Sequence, residues 1–322
     1  MKKRVLVTEP IPKSVVDYLE AEVELERWSH PEKIPKGLLL QKIPSFHGLI
    51  TFKDNIDQEF LQAASQLEVV SNISVGYDNF DIEAIKRSKI IATHTPYVLD
   101  ETVADLIFGL ILATARRIPE LHQYVRNGKW SKSVDISLFG HNVHHKKLGI
   151  IGMGRIGEKV ARRAKVGFQM DVCYYNRSRN HKIESELGAH YEQMDELLKT
   201  SDFILLMTPL TEQTYHLIDY EAFRKMKRTS FFINASRGAV VDEAGLINAL
   251  ENQLIQGAGL DVFKQEPIQL NNPLLKMENV VTLPHIGSAT AETREEMKLF
   301  AAKNMLQALR GDTPDAVIKE LN

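Results

Sequence analysis

The sequence predicts an α/β protein made of two doubly wound parallel sheets, and three observations predict it. Short apolar runs alternate with amphipathic stretches along almost all of the 322 residues, the rhythm of a parallel sheet covered by helices. That rhythm occurs twice, over residues 1–98 and again from Lys147 to about Leu283. The second run opens on L-G-I-I-G-M-G-R-I-G at 148–157, an apolar run, a glycine turn and then helical spacing.

In the first run, residues 5–7, 23–28, 48–52, 67–73 and 90–93 read as strands, and 14–19 and 56–67 as helices. The stretch S-V-G-Y-D-N-F-D (74–81) follows the fourth strand. It is small and polar at a carboxyl strand end, where open α/β sheets place ligands. It reads equally well as a helix-entry loop with Asp78 or Asn79 as cap. Asp100 is expected to cap one long helix reaching about Val125, with Val103, Leu106, Ile107, Leu110 and Ile111 on a 3.6-residue period. Arg116 and Arg117 near its end read as solvated charge ahead of the alternative, interdomain contacts.

Residues 128–145 have little periodicity, and three histidines there (His141, His144, His145) lack a carboxylate or cysteine at ligand spacing, so no metal is expected. Six further strands are expected at 148–151, 171–175, 203–207, 231–234, 257–261 and 280–283. A last helix over 289–309 turns Met297, Phe300, Ala301, Met305 and Leu309 inward. The apolar residues after it, 316–318 and Leu321, have no sheet nearby in sequence and are expected to cross back to the first domain. The domains are thus 1–99 with 289–322, for substrate, and 100–288, for a dinucleotide.

The composition is that of a globular protein, 43% hydrophobic and 25% charged. Forty basic and 42 acidic residues nearly cancel, which offers no general field for nucleic acid or anionic membrane. The apolar run at the N-terminus (5–7) ends before Glu9-Pro10, short of the about 7–15 apolar residues of a secretory segment. No stretch approaches the ~20 apolar residues of a membrane span. Cys173 is the single cysteine and reads as a buried strand thiol, suited to a reducing compartment. The expected location is the cytoplasm.

The chemistry starts at the glycine turn. Gly152, Gly154 and Gly157 form G-x-G-x-x-G between a strand and a helix. The bare backbone admits a pyrophosphate, and the helix N-terminus offers free N–H groups and a favourable dipole. In this context the motif predicts a Rossmann dinucleotide site. About 20 residues on, an NAD site places Asp or Glu for the ribose 2′-hydroxyl. Here Asn176 stands instead, followed by Arg177, Ser178 and Arg179. Guanidinium groups and a hydroxyl suit a 2′-phosphate, so NADP(H) is expected to be preferred and NAD(H) to bind more weakly.

Three later strand ends carry groups for proton and hydride chemistry. I-N-A-S-R-G-A (233–239) presents Arg237, G-L-D-V-F-K-Q-E-P (259–267) presents Asp261 and Glu266, and L-P-H-I-G-S-A-T (283–290) presents His285. A carboxylate beside an imidazole orients it and makes it an acid effective near neutral pH. An arginine fork holds a carboxylate by two bonds.

These segments, with H-T-P…E-T-V-A-D and H-H-K-K-L-G-I-I-G-M-G-R-I-G, resemble the D-isomer-specific 2-hydroxyacid dehydrogenase family over essentially the whole chain. Within it the resemblance is closest to bacterial glyoxylate/hydroxypyruvate reductases that also act as 2-ketogluconate reductases. The resemblance implies a Rossmann domain inserted in a flavodoxin-like substrate domain, with Arg237, Glu266 and His285 as the catalytic set. It implies backbone donors to the substrate carboxylate at Val75 and Gly76, and Ser288 beside the substrate. Arg155, Ile156, Thr208, Pro209, Ala235, Asp261 and Gly287 are implied to line the cofactor. It further implies reduction of a small 2-keto acid to a D-2-hydroxy acid by a homodimer joined through the nucleotide domain. Mammalian relatives carry tryptophans in the loop after the long helix; this chain has Ser137-Leu138-Phe139 there. Two other readings share the fold, a phosphoglycerate dehydrogenase and a non-catalytic, dinucleotide-sensing corepressor.

Overall fold

The computed structural model describes residues 2–30, 32–131 and 133–321. The chain divides into two compact units, Met1–Leu99 with Ala289–Asn322, and Asp100–Ser288; Met1 and Asn322 themselves lie outside the described residues.

The first unit holds five strands, β1 (Arg4–Val7), β2 (Glu24–Arg27), β3 (Gly48–Thr51), β4 (Val69–Asn72) and β5 (Ile91–Thr93). All pairs are parallel, in the order β2-β1-β3-β4-β5, the flavodoxin-like arrangement with its switch point between β1 and β3. Helices cover both faces of such a sheet, so its central strands are buried without alternation, and every residue of β3 and β4 is buried. Leu6, Leu49, Val70, Phe46, Phe60 and Ile318 meet in one core. The C-terminal helix Ala291–Arg310 packs on β3, β4 and β5, and beyond it Val317 bridges Thr93.

Two expectations in this unit are corrected. The helix expected over 56–67 covers only Gln58–Ala63, because Ile56 bridges Phe80 and Asp57 accepts from the Phe60 N–H as cap. The helix after Ser74 is capped by Asp81, which accepts from the Ala84 N–H, and not by Asp78 or Asn79.

The second unit holds β6 (Lys147–Ile151), β7 (Asp171–Tyr175), β8 (His190–Tyr191), β9 (Phe203–Leu206), β10 (Phe231–Asn234), β11 (Gly257–Leu260) and β12 (Val280–Thr282). The order β12-β11-β10-β9-β6-β7-β8 is the doubly wound 3-2-1-4-5-6 sheet with one further strand. Seven strands stand where six were expected, since the two residues of β8 are too few to show a period. Cys173 is buried in β7, as read, and its thiol lies 3.7 Å from the Ser201 hydroxyl.

The single long helix expected from Asp100 to Val125 is two helices, Asp100–Ala115 and Ile118–Arg126. Arg117 between them is left-handed (φ 55°), and Pro119 in the following turn has no N–H to continue the ladder. Asp100 is the first helical residue, and it pairs with Arg155 at 3.1 Å. Arg117 is not solvated charge: it grips Glu120 at 2.5 Å and donates to the Ser137 and Phe139 carbonyls. Among the described residues no helix is long and apolar enough to cross a membrane.

Candidate active site

The glycine turn runs from β6 into the helix Arg155–Phe168, with Gly154 as its N-cap. Gly152 has φ 105°, and a Cβ there would stand 2.5 Å from the Met207 carbonyl oxygen. A Cβ on Gly157 would meet the Gly152 carbonyl oxygen at 2.7 Å. Over Gly154, by contrast, the space is open. The first N–H groups of a helix have no acceptor within it, so the turn has room and donors for an anion. Arg155 directs its side chain to Asp100, and Ile156 is half-buried.

The tip of β7 divides its labour in a way the sequence does not announce. Asn176 accepts from the Met153 N–H at 2.7 Å and donates to the Met153 carbonyl, so it braces the glycine turn. Arg179 is committed to Glu184, which it holds down to about 2 together with the Tyr174 hydroxyl. Arg177 and Ser178 are exposed, and Arg177 makes no hydrogen bond or ion pair among the described residues. Of the two guanidinium groups, only Arg177 is at liberty. Next along the sheet edge, Thr208 and Pro209 follow β9, and the buried Thr208 hydroxyl has no hydrogen-bond partner among the described residues. Ala235 follows β10 and is half-buried. Room over Gly154, the orphaned hydroxyl and the free guanidinium fit a nicotinamide dinucleotide.

Arg237 leaves β10 and donates to the Ser236 carbonyl at 2.8 Å. The next residue, Gly238, lies against the backbone of Phe263, whose carbonyl carbon a Cβ would overlap. The arginine loop is therefore packed on the loop that carries Glu266. Glu266 accepts from the Phe263 N–H at 3.1 Å through one oxygen, and its other oxygen lies 2.7 Å from His285 Nδ1. The two side chains are 38% and 33% exposed, histidine first, so the pair is open to a ligand.

His285 itself is left-handed, at φ 54°, a conformation that costs of order 1–3 kcal/mol and persists only where its surroundings impose it. Asp261 imposes it. Its buried carboxylate accepts from the Ile286 N–H at 2.8 Å and the Gly287 N–H at 2.9 Å. Burial pushes the Asp261 carboxyl up, against those two bonds and the His285 ring, which pull it down. Ser288 closes this segment, half-buried.

In the first unit, the loop after β4 is held by its carbonyls. His94 Nδ1 donates to the Val75 carbonyl at 2.9 Å, and Asn72 Nδ2 to the Gly76 carbonyl at 2.8 Å. The Val75 and Gly76 N–H groups donate to nothing among the described residues. Both N–H groups are therefore available to a ligand. Sequence reading missed Asn72 and His94, although polar residues ending an apolar run, Ser71 and Asn72 after Val69 and Val70, were the available signal for Asn72.

Of the three histidines before β6, His141 lies edge-on to Phe231, and His144 and His145 pack on each other. No group of metal-ligating side chains is found among the described residues.

A doubly wound sheet bearing a glycine turn, an acid–imidazole pair and an arginine at its carboxyl edge defines a dinucleotide-dependent oxidoreductase. The chain belongs to the D-isomer specific 2-hydroxyacid dehydrogenase family, whose NAD binding domain matches residues 108–287. It is similar to the glyoxylate reductase of Thermococcus litoralis, 44% identical over 99% of this chain and 98% of that protein. It is also similar to glyoxylate/hydroxypyruvate reductase B of Escherichia fergusonii, 44% identical over 97% of this chain and 96% of that one. Among solved structures, the NADPH-dependent glyoxylate/hydroxypyruvate reductase of Sinorhizobium meliloti, in complex with NADP and malonate, superposes with a TM-score of 0.89. It is 30% identical and covers 100% of this chain and 98% of its own.

Proposed function

We propose that the protein reduces small 2-keto acids (glyoxylate, hydroxypyruvate and 2-keto-D-gluconate) to D-2-hydroxy acids, with NADPH preferred over NADH. The observation that carries the reading is the Glu266–His285 bond at 2.7 Å, in a segment clamped by Asp261. The names of the relatives support the substrate class, and the free Arg177 beside Ser178 supports the cofactor preference.

When bound, NADPH supplies the hydride that goes to the keto carbon. Protonated His285 gives its proton to the oxygen of that carbon as negative charge builds there, and Glu266 holds the ring and stabilises its charged form. Arg237 holds the substrate carboxylate, for which the Val75 and Gly76 N–H groups are further donors, with Ser288 beside it. The turn 152–157 receives the pyrophosphate. Thr208, Pro209, Ala235, Asp261 and Gly287 line the remainder of the cofactor, and Arg177 and Ser178 take its 2′-phosphate.

The enzyme works as a homodimer. Ile118, Val125, Trp130, Val134, Ile136 and Phe139 are all exposed within residues 118–139 of the second unit, and covering them against a second subunit would remove apolar surface from water. A lone buried thiol suits the cytoplasm.

The test is a steady-state comparison of the three acids with both cofactors, followed at the nicotinamide absorbance. Turnover of at least one acid, with the higher kcat/KM on NADPH, is the expected result. Absence of turnover with all three would overturn the reading.

A further inference from the structure

A half-buried cation in the first unit has no hydrogen-bond or ion-pair partner for its side chain among the described residues. Arg294, in the first turns of the C-terminal helix, is half-buried and stacks on the Phe52 ring at 4.8 Å. Its side chain makes no hydrogen bond and no ion pair among the described residues, whereas Arg117, Arg163 and Arg179 each close one or more. Its N–H donors have no protein acceptor among the described residues and still reach the surface, so they are open to a ligand that can accept. Burial pushes this guanidinium below its usual range, with Glu9 opposing.

The surroundings are built. Phe52 follows the last residue of β3, and Glu9 lies two residues past β1, so both stand at the switch point of the five-stranded sheet, where open α/β sheets receive ligands. Asp54, buried below them, ties the two strand ends together: it accepts from Thr8 at 2.6 Å and from Thr51 at 2.7 Å. Glu9 is half-buried and pushed up by that burial and by Asp54, against Lys298, Lys53 and Lys33.

The neighbouring strand, β4, runs into the free N–H groups of Val75 and Gly76. Adjacent strands are about 4.8 Å apart, so the Phe52–Arg294 stack lies one strand along from the proposed carboxylate donors. A two-carbon keto acid held there ends at its reacting carbon. A longer acid runs on along the sheet edge. Arginine can only donate and a carboxylate only accept, and a hydroxyl does both, so a donor and an acceptor together suit hydroxyls. A second carboxylate would be repelled by Glu9.

We propose that Arg294, seated on Phe52 near Glu9, is a specificity-determining residue that binds the distal hydroxyls of an extended, polyhydroxylated 2-keto acid. This assignment rests on the 2-keto acid reductase reading above.

The experiment measures kcat and KM of the wild type, Arg294→Met and Glu9→Gln with glyoxylate, 2-ketogluconate and the keto diacid oxaloacetate, with circular dichroism to show that each variant is folded. In Arg294→Met the ratio of kcat/KM for 2-ketogluconate to that for glyoxylate falls at least tenfold, and the loss appears in KM. In Glu9→Gln the same ratio falls about threefold, and this variant carries the test if Arg294→Met does not fold. An unchanged ratio overturns the proposal, as does a wild type that takes glyoxylate and rejects 2-ketogluconate or prefers oxaloacetate to it. A wild type that turns over no keto acid overturns the reductase reading, and this assignment with it.

Discussion

Glu266 and His285 sit nineteen residues apart in sequence and 2.7 Å apart in space, carboxylate oxygen to Nδ1. Neither loop could set that distance alone. Glu266 is fixed by the Phe263 N–H, and His285 by the two N–H bonds that Asp261 accepts from the residues after it. His285→Ala is expected to lower kcat by about 10²–10⁴, the usual contribution of a positioned acid, with NADPH affinity, measured by nicotinamide fluorescence, changed less than threefold. Retained turnover would remove His285 from the mechanism.

Asp261 holds the backbone that follows His285 through the Ile286 and Gly287 N–H groups. Asp261→Ala strands two N–H donors and frees a left-handed histidine. The expected cost is about 2–4 kcal/mol of unfolding free energy, read as a lower urea midpoint. A variant as stable as the wild type would show that the clamp does not stabilise the fold.

Arg177 is the free guanidinium at the tip of β7, and Arg179 is occupied by Glu184. Arg177→Ala should raise KM for NADPH at least tenfold and KM for NADH less than twofold. Arg179→Ala, by contrast, should act on both cofactors alike. Equal effects of Arg177→Ala on the two would refute the 2′-phosphate assignment.

Burial pushes the Cys173 thiol up to about 12. The native protein should therefore be inert to a thiol reagent at pH 8 and show one reactive thiol per chain in denaturant. The sign for stability follows from linkage. The neutral thiol is favoured in the fold, so its contribution is complete below the ordinary value of 9.0 and is lost as pH rises towards 12. Comparing urea midpoints of wild type and Cys173→Ala at pH 8 and pH 10.5 isolates it: the wild type loses more over that interval.

The exposed apolar stretch ending at Phe139 is assigned to the dimer contact. Ile136, the most exposed of its large apolar residues, should bring a charge into that contact as Ile136→Asp. Light scattering is expected to show the mass halved while the circular dichroism spectrum is kept. A wild type that is already monomeric would refute the assignment.

Much of the fold was legible because its signals are local. Parallel strands buried on both faces appear as unbroken apolar runs, and a glycine turn between a strand and a helix has few other uses. Both sheets and the family could be read from such runs and motifs. Where local signals are weak, the reading failed: two residues make β8, and the break at Arg117 depends on a left-handed backbone that arginine does not advertise. Arg237, Glu266 and His285 were likewise visible as residue types at strand ends, and the structure brings Glu266 and His285 into hydrogen-bond contact. What only the tertiary structure decided is which groups are already spent. Asn176 is consumed by Met153 and Arg179 by Glu184, while the side chains of Arg177, Arg294 and Thr208 have no hydrogen-bond partner among the described residues. Sequence determines what a side chain can bond to. Whether a partner inside the fold has already taken that capacity depends on distances of about 3 Å between residues far apart in the chain, and folding alone sets them.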